Sequence, residues 1–95
     1  MKPTTQSANG TSFYKVTLDA PLRSLVKVLG KPGKGFDKSQ FEWVMETEDG
    51  DVFTVYDWKE DNRIDPNETI SWHIGGKDKL STLAAKIEIL DALEQ

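Results

Sequence analysis

The chain contains no cysteine and only one histidine, His73. The first absence excludes a disulfide framework and thiolate chemistry, and the two together exclude a metal site built from Cys and His ligands. No apolar run approaches the length needed to cross a bilayer, and the first residues lack an apolar signal segment. These absences predict a small soluble, cytoplasmic protein without a membrane span. We also expect no metal and no cofactor.

Arginine is also scarce, since only Arg23 and Arg63 are present in a chain with a net charge of −4. A dedicated nucleic-acid binder normally presents a large basic face, so this composition argues against direct nucleic-acid binding. The charge is unevenly distributed, because acids greatly outnumber bases between residues 42 and 68. Such an uneven field steers charged partners toward one side of a protein.

The stretch 41–59 alternates between apolar and polar residues on either side of a turn, which predicts a β-hairpin. A two-residue turn at 49–50 would set two carboxylates opposite each other and mix apolar with acidic side chains. A three-residue loop at 48–50 shifts the pairing by one residue and separates the apolar side chains from the acidic ones. It leaves Tyr56 and Trp58 on the polar face. The apolar face then holds Phe41, Trp43, Met45, Phe53 and Val55.

The remaining pattern places a strand and a helix on each side of this hairpin. Residues 1–12 are polar and predict a flexible arm, followed by a single domain over 13–95. A strand over 13–18 precedes a helix that starts near Pro21 and has its apolar stripe at Leu22, Leu25, Val26 and Leu29. A strand over 69–74 precedes a final helix whose main apolar stripe is Leu80, Leu83, Ala84, Ile87 and Leu90.

The order β-α-β-β-β-α predicts an α+β fold with a four-stranded, mainly antiparallel sheet and two helices packed on one face. In this arrangement the side chains of one sheet face meet the apolar stripes of both helices. The expected core consists of Trp43, Phe53, Val55, Trp72 and Ile74 against Leu25, Leu29, Leu83 and Ile87.

The opposite sheet face is the first candidate site. Aromatic side chains with a polar atom are favoured at interaction surfaces, because they bury a large area with little loss of side-chain entropy. The sequence therefore predicts a non-enzymatic module that regulates or inhibits a protein partner. Alternatively, the N-terminal arm or a loop covers this face. The predicted partner-binding residues are Tyr56, Trp58, His73, Glu42 and Asp57.

The segment Gly75-Gly76-Lys77-Asp78-Lys79 at the start of the final helix is a second candidate. Free amides at a helix N-terminus, with flexible glycines and lysines, can hold a small anion such as a phosphate-bearing or nucleotide ligand. The alternative is a plain strand-to-helix turn capped by Asp78. The lysines oppose the helix macrodipole at this end, and Asp91 and Glu94 oppose it at the other.

Catalysis and self-association complete the set of hypotheses. His73 with Glu42 or Asp57 could form a base and its orienting carboxylate, but no spacing supplies a nucleophile, so we expect no enzyme activity. Ile89 and Leu93 widen the apolar arc of the final helix. This arc is either a homodimer seam or a more deeply buried part of the domain.

Overall fold

Six strands and two helices form a small α+β fold with one antiparallel sheet in the computed structural model, which describes residues 1–95. The sheet order is β1-β4-β5-β6-β2, and β3 also pairs with β4. Neither helix is long and apolar enough to cross a membrane. The elements are β1 (Lys2–Pro3), β2 (Ser12–Pro21), α1 (Leu22–Leu29), β3 (Gly33–Lys34), β4 (Phe41–Glu46), β5 (Val52–Asp57), β6 (Thr69–Gly76) and α2 (Lys79–Leu93).

The prediction of a four-stranded sheet is wrong, because two very short strands extend it. The four expected strands are β2, β4, β5 and β6, and both additional strands, β1 and β3, have two residues and pair with β4. Two residues are too few to show the alternation that identifies a strand in a sequence. Lys2 and Pro3 pair with Glu46 and Met45, so the segment expected to be a flexible arm starts at this edge of the sheet.

The register of the β4–β5 hairpin confirms the three-residue loop. The Thr47 N–H donates to the Asp51 carbonyl at 2.9 Å, and the Gly50 N–H donates to the Thr47 carbonyl at 2.9 Å. Gly50 has φ 87°, the left-handed conformation that this type of loop requires and that glycine adopts without strain. As a result, Trp43 lies opposite Val55 on the apolar face, and Met45 lies opposite Phe53.

Two buried tryptophans lie at the centre of the core, between the sheet and the helices. Trp43 and Trp72 pack edge to face with ring centroids 5.5 Å apart. Each indole N–H donates to a backbone carbonyl at 2.8 Å, Trp43 to Gly30 and Trp72 to Ala20. These bonds remove the cost of burying a polar atom in an apolar core. From α1 the core receives Leu22, Leu25 and Leu29, whereas Val26 is exposed.

Helix α2 packs through the face opposite to the expected one, so the prediction that Leu83 and Ile87 enter the core is wrong. The buried residues are Ser81, Thr82, Ala85 and Ile89, and the exposed ones include Leu80, Leu83, Ile87 and Leu90. The helix begins shortly after β6 and lies close to it. A Cβ on Gly76 would be 2.8 Å from the Thr82 Cγ2. Such close approach favours small side chains toward the sheet.

The Asp57 carboxylate is fully buried at the end of β5, where it fixes the chain that enters β4. Its oxygens accept hydrogen bonds from the Gln40 N–H at 2.9 Å and the Phe41 N–H at 2.8 Å. The Gln40 side chain in turn donates to the carbonyls of Glu60 and Asn62, at 3.0 and 2.8 Å. One carboxylate thus organises the loops on both sides of the hairpin's open end.

We predict that Asp57→Ala lowers the free energy of unfolding by about 2–4 kcal/mol, because two backbone N–H groups lose their acceptor in a buried setting. Asp57→Asn keeps one acceptor oxygen and should lose less. Urea unfolding measures both, with the exposed Asp61→Ala as the control. Equal unfolding midpoints for Asp57→Ala and Asp61→Ala would contradict this role.

Candidate functional site

A row of side chains crosses the sheet on the face that points away from the helices. Glu42 on β4 lies opposite Tyr56 on β5, which lies opposite His73 on β6, which lies opposite Thr17 on β2. Successive residues of a strand point to opposite faces, so the register that buries Trp43 and Val55 also directs this row outward. The row is half-buried rather than fully solvated.

Four aromatic rings stack on this row and form what we term the aromatic cluster: Phe13, Tyr56, Trp58 and His73. The Phe13 and His73 rings are parallel within 3°, with centroids 3.8 Å apart. Trp58 stacks on His73 at 5.8 Å, and Tyr56 meets His73 and Trp58 edge-on at 5.4 and 6.4 Å. Phe13 and Trp58 remain 37% and 41% exposed. The rings contact one another and still leave apolar area exposed to solvent.

A bulge in β2 brings Phe13 next to His73 on this face. Phe13 lies opposite Gly75 and Thr17 lies opposite His73, so β2 has three residues between these pairs where β6 has one. Within the bulge Lys15 has φ 66°, a conformation that is uncommon for a residue with a side chain. A Cβ on Gly75 would lie 2.5 Å from the Thr54 Oγ1, so only glycine fits beside the bulge.

A cavity of about 270 Å³ opens beside the cluster, and we term it the aromatic groove. Hydroxyl side chains complete its wall, and no lysine or arginine lines it. The groove therefore combines ring faces with carboxylates. Its aromatic and acidic lining consists of Phe13, Phe36, Tyr56, Trp58, Asp37 and Glu42.

Phe36 is 84% exposed at the tip of the turn that follows β3. The Phe36 N–H donates to the Ser39 Oγ at 3.0 Å, and the Lys59 N–H donates to the Lys38 carbonyl at 3.0 Å, which ties this turn to the segment after β5. Asp37 and Lys59 have φ 58° and 56°. A strongly exposed phenylalanine is thus held in place by a hydrogen-bonded turn.

Backbone strain is concentrated around the groove. Three non-glycine residues have positive φ, and each is within two positions of an aromatic ring that lines the groove. They are Lys15 beside Phe13, Asp37 beside Phe36, and Lys59 beside Trp58. Strained conformations of this kind cost on the order of 1–3 kcal/mol each and are concentrated at functional sites.

Partial burial perturbs the ionisable groups of the row. Loss of solvation raises the pKa of Glu42 above 4.5, and loss of solvation together with the nearby Glu42 charge raises the pKa of Tyr56 above 10.0. Loss of solvation lowers the pKa of His73 below 6.5, so the imidazole is neutral at physiological pH. The Glu42 carboxylate is therefore poorly solvated and favours a cationic neighbour.

A wider cleft of about 610 Å³ adjoins the groove at Asp37 and Ser39. Its lining is entirely polar and carries both signs of charge. The cleft thus places hydrogen-bonding and charged groups directly beside the groove. Besides the two shared residues it is lined by Lys38, Gln40, Lys59, Glu60 and Asp61.

Of the predicted partner-binding residues, Tyr56, Trp58, His73 and Glu42 come together, but Asp57 does not. Alternation along β5 turns Asp57 to the helix side, where it is fully buried, so its assignment to the binding face is corrected here. The sequence reasoning missed Phe13, Phe36 and Asp37. An aromatic residue between Gly35 and Asp37 in a polar loop could have indicated Phe36. Alternation puts Phe13 on the face of Thr17, whereas no pattern reveals the bulge that sets it against His73.

The second candidate segment has a different geometry from a flexible anion-binding loop. Gly75 and Gly76 are buried within β6, while Lys77 and Lys79 are exposed. The Asp78 Oδ1 accepts a hydrogen bond from the Ser81 N–H at 2.7 Å, which lowers the pKa of Asp78. The first turn of α2 is thus capped by the chain's own carboxylate.

Nowhere in the chain do three or more histidine, aspartate or glutamate side chains converge as ligands for a metal ion. No family model, curated protein or solved structure matches this chain. Function must therefore be argued from the chemistry of the aromatic groove itself.

We predict that relieving the strain at Lys15 stabilises the fold. Lys15→Gly should raise the free energy of unfolding by up to about 1 kcal/mol, because glycine adopts positive φ readily. Lys15→Val should lower it by roughly 1–2 kcal/mol, since a β-branched residue fits this conformation poorly. Chemical denaturation measures both changes. If the two variants unfold at the same denaturant concentration, the bulge is not strained.

We predict that acidification destabilises the fold through His73. Partial burial makes His73 harder to protonate in the folded chain than in the unfolded chain. As the pH falls through 6.5, the unfolded chain therefore binds the proton first and the free energy of unfolding declines. The decline ends once the pH has passed the lowered pKa of His73 in the folded chain. Melting temperatures from about pH 7 to about pH 5 should therefore fall more for the wild type than for His73→Gln. Parallel curves for the two proteins would show that His73 does not contribute.

Proposed function

We propose that the protein is a non-enzymatic binding module that regulates or inhibits a protein partner, and that its aromatic groove receives an arginine or lysine side chain of that partner. The observation that carries the proposal is the composition of one cavity: four aromatic rings, two carboxylates and no basic residue. This combination is complementary to a cation attached to an apolar stem.

Aromatic faces attract cations with about 0.5–1 kcal/mol at exposed sites and about 2 kcal/mol where water is excluded. The chain already contains one such interaction, because the Lys59 Nζ lies 5.6 Å from the centroid of the Trp58 ring. A guanidinium group in the groove would lie among these rings and near the Glu42 carboxylate. Its charge would compensate for the solvation that this carboxylate has lost.

A protein ligand accounts for the surroundings better than a nucleic acid does. Stacked rings can bind nucleobases, but the accompanying phosphates would meet Asp37 and Glu42 on a chain of net charge −4. A peptide carries its cation on a neutral backbone. The adjoining polar cleft supplies donors and acceptors for such a backbone and its flanking side chains.

The alternative, a phosphate-bearing ligand at residues 75–79, lacks a supporting observation. Gly75 and Gly76 are paired within the sheet, and the Asp78 carboxylate occupies the helix N-terminus. We therefore place the function at the aromatic groove alone.

A hexa-arginine peptide tests the proposal, with binding followed by NMR shifts of ¹⁵N-labelled protein. We expect shifts confined to the groove, and Glu42→Gln and Trp58→Ala should each weaken binding about tenfold, which corresponds to about 1.4 kcal/mol. Affinity should also fall as the pH drops through the raised pKa of Glu42, because the protonated carboxyl no longer attracts a cation.

Glu46→Gln is the matched control, since Glu46 is on the same face of β4 but outside the groove. It removes the same charge and should leave the peptide affinity unchanged. Equal losses for Glu42→Gln and Glu46→Gln would show only a diffuse effect of charge and would refute the groove as a cation site. Binding of a hexa-glutamate peptide to the same residues would do so as well.

A further inference from the structure

Helix α2 is apolar on two opposite faces, and the fold covers only one. The side turned away from the sheet carries what we term the outer stripe, formed by Leu80, Leu83, Ile87 and Leu90. These side chains are 78%, 39%, 63% and 41% exposed. Monomeric domains rarely expose a contiguous row of large apolar side chains, so the outer stripe is a surface without its partner in the isolated chain.

The spacing of the outer stripe indicates which partner fits. The intervals are three, four and three residues, which is the repeat of helices that pack side by side. The same intervals are read in either direction. An antiparallel second copy would therefore set Leu80 against the second copy's Leu90 and Leu83 against its Ile87, with every layer repeated by a two-fold axis.

The charges at the two ends of α2 support the same arrangement. Lys77 and Lys79 lie at the positive N-terminal end, and Asp91 and Glu94 lie at the negative C-terminal end, so all four oppose the helix macrodipole. An antiparallel neighbour reverses this disadvantage, because each lysine end meets the other copy's acidic end and the negative pole of its dipole. The unfavourable charges of one helix become complementary in a pair.

We propose that a second copy of this chain docks on the outer stripe in antiparallel orientation. Ala84 lies near the two-fold axis and is small enough to let the helices approach closely. Lys86 flanks the axis on the other side, and its flexible stem lets the ammonium group reach water. The proposal is independent of the aromatic groove, which lies on the opposite side of the sheet.

We expect a dimer of moderate affinity. A helix of 15 residues spans about 22 Å at about 1.5 Å per residue, so one helix pair buries less than the roughly 800 Å² per partner of a standard interface. The dimer should therefore form and dissociate with protein concentration rather than persist at all dilutions.

Sedimentation equilibrium on the full chain, from low micromolar to near-millimolar concentration, tests the proposal. We expect the wild type to pass from monomer to dimer and Leu83→Glu to weaken association by about tenfold or more. Val26→Glu is the matched control, because Val26 on α1 is 38% exposed, close to the 39% of Leu83, but lies outside the stripe. Circular dichroism verifies that both variants stay folded.

A wild type that stays monomeric throughout, or equal effects of Leu83→Glu and Val26→Glu, would overturn the proposal. So would a monomer that binds a different protein through Leu83, because that protein would then be the occupant of the stripe.

Orientation is tested by cross-linking, since the chain has no native cysteine. When Leu80→Cys and Leu90→Cys variants are mixed and oxidised, an antiparallel pair should yield mainly the link between the two variants, because it sets these two positions directly against each other. A parallel pair would instead link each variant to itself. Predominance of self-links, or no link at concentrations where the protein sediments as a dimer, would refute the antiparallel arrangement.

Discussion

The three-residue tip of the β4–β5 hairpin is the constraint on which the rest of the structure depends. A shift of one residue would move every side chain of one strand to the opposite face. With Gly50 in its left-handed conformation, Trp43 enters the core and Tyr56 faces outward. The same register sets the Asp57 carboxylate on the helix side, where it holds the chain that enters β4. The core, the Asp57 anchor and the aromatic outer face thus follow from one turn.

The sheet face that carries the aromatic groove lowers the stability of the fold in several independent ways. It exposes large rings, desolvates Glu42 and His73, and requires positive φ at Lys15. None of these features strengthens the core formed by the two buried tryptophans. Strain and exposed apolar area that serve no packing purpose are typical of surfaces selected for binding. This contrast between a well-satisfied interior and a strained exterior distinguishes the groove from an ordinary sheet face.

The sequence predicts the parts of the fold in which the turn and the alternation of apolar and polar residues allow only one arrangement. The hairpin register follows because only one pairing separates Trp43 and Phe53 from the carboxylates. The inner face of α2 does not follow, because both of its faces are apolar and periodicity cannot choose between Leu83 and Ala85. The choice depends on how closely the helix approaches β6, which is a tertiary property.

The candidate site shows the same division between local and long-range information. Tyr56, Trp58, His73 and Glu42 could be placed on one face by alternation, and the same rule excludes Asp57. Alternation also puts Phe13 on the face of Thr17, but it could not show that a two-residue bulge in β2 sets the Phe13 ring against His73. The two-residue strands β1 and β3 are likewise invisible in the sequence, since they exist only through their pairing with β4.

The aromatic groove and the outer stripe of α2 lie on opposite sides of one sheet, so occupying one leaves the other open. If two copies joined through α2, their grooves would face away from each other, and the assembly would be bivalent. A partner with two basic segments, or two partners held close together, would then be captured with an avidity well above that of a single groove. The avidity would depend on the concentration of the protein in the cell, because dilution would dissociate the dimer into monomers with one groove each.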